Sequence, residues 1–153
     1  MEQYRAPRWL VGGNFQTIWP ALFGKRFEGM APHYVRERWD TPDGDFIDVD
    51  WQRDIPPPPP PLGAVRPAPL LVMFHGQEGS SASHYAQAFA HWARSHGWGF
   101  VVPHFRGCSG EMNRAPRAYH SGDFEEIGWI LQRIRARHSG PVAAIGISLR
   151  KTC

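Results

Sequence analysis

The sequence predicts an α/β fold: a mainly parallel β-sheet flanked by helices and preceded by an antiparallel hairpin. Three observations carry this expectation. From Pro69 onward, strand-like and helix-like stretches alternate in the order strand, helix, strand, helix, strand, the pattern of parallel strands joined by helical crossovers. The strand stretches LLVMFH (70–75), GFVVPHF (99–105) and VAAIGI (142–147) are short, mainly apolar runs, as expected of strands covered on both faces. The stretches between them repeat apolar residues every three or four positions, which is a helical period.

Taken in order, HYVRERWDTPDGDFIDVDWQR at 33–53 reads as two strands around Pro42-Asp43-Gly44, because proline and glycine supply the dihedrals of a tight turn. The segment IPPPPPPLGAVRPAP follows; proline cannot donate a backbone hydrogen bond, so it is a polyproline-type loop, read as a connector and, in the alternative, as a ligand for an aromatic groove. SASHYAQAFAHWARSHG predicts a helix with Tyr85, Phe89 and Trp92 on one stripe, serines as N-caps and Gly97 as its stop. A second helix is expected from near Asp123, which has capping-box spacing with Glu126. Its stripe is Phe124, Ile127, Leu131 and Ile134, its basic end Arg133, Arg135 and Arg137, and Gly140-Pro141 closes it.

At 153 residues, with 42% hydrophobic and 20% charged residues, the chain has the composition of one globular domain. The net charge of +3 comes from arginines scattered along the chain, with no nucleic-acid signature beside it, so nucleic acid is not expected as a partner. Two cysteines without Cys-x-x-Cys spacing fit a reducing cytoplasm and argue against a disulfide framework or zinc site. No metal or other cofactor is predicted. The N-terminal stretch is broken by Asn14, Gln16 and Thr17, so it is not read as an export signal. Its residues Trp9, Phe15, Ile18, Trp19, Leu22 and Phe23 suit a helix packed on the domain or contact with a membrane surface.

In an open parallel sheet, ligands gather at the carboxyl ends of the strands. Two motifs fall there: His75-Gly76-Gln77-Glu78-Gly79 after the first parallel strand, and Gly146-Ile147-Ser148-Leu149 after the third. Glycines in the first allow a tight turn that presents an N–H to a developing oxyanion. A strand-to-helix turn in the second would lift the Ser148 hydroxyl above the sheet. Together with GNFQTIWPAL near the start, HGQEGSSASHYAQ, FRGCSGEMNRAPRAYHSG and AIGISL, in that order over residues 12–149, these motifs resemble the YheT-like family of α/β-hydrolases.

The resemblance implies the first half of an α/β-hydrolase fold and esterase chemistry on small-molecule or lipid esters. It implies Ser148 as nucleophile, the backbone N–H groups of Gln77 and Leu149 as oxyanion hole, and His75, Gly76 and Gly146 as residues that shape the site loops. The chain is accordingly divided into residues 1–66 (extension, hairpin and Pro-rich loop), 67–149 (hydrolase core) and 150–153 (a tail that departs from the family pattern).

The departure begins at Arg150, where the family pattern has a glycine that lets strand and helix backbones approach. The acid and histidine of such triads lie downstream of the serine, so the sequence reads as a fragment truncated or frameshifted at the elbow and inactive by itself. Rescue by His75, His104 or His120 would need a ring within hydrogen-bond reach of Ser148 and an acid to orient it. The contrasting expectation is a non-catalytic binding or assembly module that uses the Pro-rich loop or the open sheet edge.

Overall fold

A computed structural model describes residues 30–53, 67–76, 79–115 and 124–147. The apolar N-terminal stretch, the Pro-rich segment and His120 lie outside the described residues. The hairpin pairs β1 (Tyr34–Asp40) with β2 (Phe46–Gln52), antiparallel and in register from Tyr34↔Gln52 to Asp40↔Phe46. Its turn closes as the sequence predicts: the Gly44 N–H donates to Thr41 O, and Gly44 sits at φ 81°, where a Cβ is disfavoured.

Along β2 the side chains alternate, and the two faces do different things. Ile47 and Val49 point into the core, whereas Asp48 and Asp50, also buried, stand directly opposite Arg38 and Arg36 and accept forked hydrogen bonds from them. A buried carboxylate is tolerated only when so paired.

The remaining strands are β3 (Leu70–Phe74), β4 (Gly99–Pro103) and β5 (Val142–Gly146), with helix α1 (His84–Ser95) between β3 and β4 and α2 (Phe124–Arg137) between β4 and β5. All five strands form one sheet in the order β1-β2-β4-β3-β5. β4 and β5 each run parallel to β3, and β2 runs antiparallel to β4. The expected α/β arrangement is therefore present, with β3 and β4 at the centre.

Alternate residues of β3 serve separate cores. Leu71 and Met73 join Phe100, Val102, Ala86, Ala90 and Ala93 on the α1 face. Leu70, Val72 and Phe74 join Ile47, Val49, Val101, Phe105, Ile130 and Ile134 on the α2 face. Trp39 closes the second core edge-on to Trp129, with ring centroids 6.2 Å apart.

Each helix stripe holds in part: Tyr85 and Phe89 of α1 and Ile127, Leu131 and Ile134 of α2 pack on the cores, whereas Trp92 and Phe124 are exposed. α1 buries Ala86, Ala90 and Ala93, while Trp92 is 43% exposed and stacks on His96; small side chains let the helix lie close to the sheet, which pushes the aromatic residues to its flanks. In α2 the buried positions are Glu126, Ile130 and Ile134, so Ile130 joins the predicted stripe and Phe124, 78% exposed, leaves it. The serine N-cap is used through its backbone alone: the Ser83 carbonyl accepts from the Gln87 N–H, while its Oγ makes no bond to the helix and accepts from the Ser80 N–H instead. Gly97, at φ 70°, does follow the end of α1. Among the described residues no helix is long and apolar enough to cross a membrane.

Candidate active site at the carboxyl ends of the parallel strands

β3 and β5 lie side by side with Phe74 opposite Gly146. The Ile147 N–H still donates to Phe74 O at 2.9 Å, so β5 is held to β3 up to the last residue before Ser148. The segment after β3 and the segment after β5 thus leave the sheet as neighbours. Gln77, Ser148, Leu149 and Arg150 themselves lie outside the described residues, whereas His75, Gly76 and Gly146 lie within them.

His75 is 1% exposed, and both of its ring nitrogens are engaged. Nε2 accepts from the Phe105 N–H at 3.1 Å, which leaves the proton on Nδ1, and Nδ1–H donates to Gly76 O at 2.8 Å. Burial pushes the ring down to about 4, so it is neutral near pH 7 and holds the turn at Gly76. An added Cβ at Gly146 would meet nothing within 4 Å.

Gly79 is the tight position of the loop. Its N–H donates to Gly76 O, and a Cβ there would collide with the Tyr85 hydroxyl and approach Gly76 O to 2.9 Å. The Tyr85 hydroxyl in turn accepts from the Gly76 N–H. Gly79→Ala is expected to displace Tyr85 or the loop and to lower stability by about 1–3 kcal/mol; a urea midpoint equal to that of the parent would refute the close packing.

Beside His75 lies a network that the sequence reading missed. Asp50, 2% exposed, accepts from Arg36 through both oxygens, and its Oδ2 also accepts from His104 Nε2–H at 2.8 Å and Ser81 Oγ–H at 2.6 Å. Burial alone would raise the carboxyl, but these donors outweigh it and hold Asp50 well below the usual carboxylate range. His104 is itself 1% exposed, with Nδ1 facing Cys108 O at 3.4 Å. His75 thus has both ring nitrogens hydrogen-bonded, and His104 is buried with its Nε2–H spent on Asp50. A usable signal was the Asp-x-Asp spacing of β2 opposite the Arg-x-Arg of β1.

The loop after β4, whose motif had no physical role in the sequence, is tied to the hairpin. Arg106, buried, donates to Asp43, Asp45 and Glu126. Asn113 donates to Asp45 and Phe46 O, and the Arg114 N–H donates to Asp45 as well. Asp43 is held below its usual range, chiefly by the hydrogen bonds from Arg106. A cavity of about 200 Å³ opens beside Arg106, walled by Pro42, Trp129 and the carboxylates of Asp43, Glu125 and Glu126. It lies on the hairpin side of the sheet, away from β5. Among the described residues no group of three or more His, Cys, Asp or Glu side chains is placed to hold a metal ion.

Compared with known proteins, the chain is 42% identical over 137 residues, 89% of its length, to "Putative esterase YheT" of Escherichia coli K12. The chain belongs to the YheT-like family of α/β-hydrolases. This YheT-like chain spans 37% of the length of that relative. It is also 28% identical over 117 residues to "Phospholipase ABHD3" of Bos taurus, covering 76% of this chain and 28% of the relative. No protein-family model matches. Its fold is shared with an α/β serine hydrolase without a lid from Xanthomonas campestris, at a TM-score of 0.56 and 18% identity, over 78% of this chain and 52% of that one.

Proposed function

We propose that this YheT-like chain carries the nucleophile and oxyanion-hole half of a carboxylic-ester hydrolase. The observation that supports the reading best is the pairing of Phe74 with Gly146 and the bond from Ile147 N–H to Phe74 O, because it brings the residues following β3 and β5 out of the sheet together. In the proposed reaction the Ser148 Oγ attacks the ester carbonyl. The N–H groups of Gln77 and Leu149 hold the oxyanion, the alcohol leaves, and water releases the acid from acyl-Ser148. His75, Gly76 and Gly146 shape the two loops. No cofactor takes part, and the substrate class is a small-molecule or lipid ester, in keeping with the names of the relatives.

Serine needs an adjacent base. His75 and His104 are held by other partners, and the resemblance gives no such role to His120, which lies outside the described residues; the 153 residues by themselves are proposed to be inactive. A cytoplasmic location is part of the proposal and rests on the sparse cysteines. One observation favours the other reading, assembly through a sheet edge: among the described residues β5 pairs with β3 alone.

Fluorophosphonate labelling decides between them, since it requires an activated serine. The 153-residue chain is expected to stay unlabelled, whereas a fusion of residues 1–147 to the elbow and remainder of the E. coli YheT relative is expected to label stoichiometrically at the serine corresponding to Ser148. Labelling of the unfused chain that is lost in Ser148→Ala would refute its inactivity. A folded fusion that neither labels nor hydrolyses esters would refute the esterase reading.

A further inference from the structure

We infer that Asp50 is a positioning residue for the oxyanion loop, acting through Ser81; the inference rests on the esterase reading above. The loop from His75 to Ser83 joins β3 to α1. Most of its described bonds stay within the loop or reach α1: Gly79 N–H to Gly76 O, Ser80 N–H to Ser83 Oγ, Ala82 N–H to Ser80 Oγ, and Gly76 N–H to the Tyr85 hydroxyl. Such bonds shape a loop without fixing where it sits over the sheet.

Two contacts fix it to other strands. At its start, His75 Nε2 accepts from the Phe105 N–H beyond β4. At its middle, the Ser81 Oγ donates to Asp50 Oδ2 on β2, 31 residues away. Ser81 is 7% exposed, so water does not compete freely for this bond. Asp50 in turn cannot swing, because Arg36 grips both of its oxygens and His104 shares Oδ2. For stability alone an apolar residue would serve as well on a face that also carries Val102, Leu71 and Met73. A carboxylate held by three other donors gives the serine hydroxyl a rigid charged acceptor, and that sets the height of the Gly79–Ser83 part of the loop over the sheet.

The test removes the tether and leaves the rest of the hub. In Ser81→Ala, amide hydrogen exchange at Gly79 and Ser83 is expected to quicken about tenfold or more, the loss of one hydrogen bond to a charged acceptor, while Leu71–Met73 stay unchanged. Ser81→Thr, which keeps a hydroxyl, should restore protection. Unchanged exchange at Gly79 and Ser83, or equal acceleration in Leu71–Met73, would overturn the anchor. In the same fusion, untreated with fluorophosphonate, Ser81→Ala should lower kcat about tenfold with KM within about twofold. Quickened loop exchange with an unchanged kcat would overturn the catalytic positioning. A fusion inactive with Ser81 intact would count against the esterase reading, and the exchange result would still decide the anchor.

Discussion

Arg106→Ala is expected to lower the stability of the fold by about 3–5 kcal/mol, the cost of leaving buried carboxylates without their cation. Asp45 and Glu126 are 0% and 6% exposed and share one guanidinium with the more open Asp43. Removing that guanidinium would loosen three elements together: the hairpin turn, the end of β4 and the start of α2. Arg106→Lys keeps the charge but cannot spread it over a planar fork, so its urea midpoint should fall between the other two. A loss below about 1 kcal/mol in a soluble Arg106→Ala protein would mean that Asn113 and the backbone donors to Asp45 suffice without the arginine.

The second large effect is on pH. Burial holds the folded-state His75 at about 4, whereas an unfolded histidine titrates near 6.5. Between those values the unfolded chain binds a proton that the folded chain refuses. Stability is therefore complete above about pH 6.5 and declines as the pH falls toward 4, by about 3 kcal/mol in all. The aspartates act in a different window. Asp43, Asp45, Asp48 and Asp50 all have folded-state values below the usual range, so their contribution is intact above about 4 and is lost only below it. Denaturation midpoints of the parent and His75→Gln from pH 8 to 4 separate the two. The parent should stay level from pH 8 to about 6.5 and then fall steadily toward 4, and the variant should stay nearly flat until the carboxylates protonate. Parallel curves would show that His75 titrates normally.

Much of the fold was legible because it rests on local chemistry. Pro42-Asp43-Gly44 specifies a turn wherever it occurs, and apolar runs with helical stretches between them specify strands and crossovers. That His75-Gly76 and Gly146-Ile147 leave the sheet at the same end was legible for the same reason, since strand length and turn residues set where each strand stops. The helix faces were legible only in part, because apolar spacing marks a stripe, as it did for Ile127, Leu131 and Ile134, but does not say whether the sheet accepts rings or methyl groups at its centre. In α1 it accepted Ala86, Ala90 and Ala93.

Residue order and local pattern alone therefore specified the class of fold, the order of its elements and the pairing of β1 with β2. Only the tertiary structure decided that Asp50 meets Ser81 and His104, residues 31 and 54 positions away, and that Arg106 meets Asp43 across 63. The physical reason is the strand order: β4 inserts between β2 and β3, so side chains remote in sequence become neighbours on one face, and their polar groups are stable there only because each supplies the partner that water no longer can.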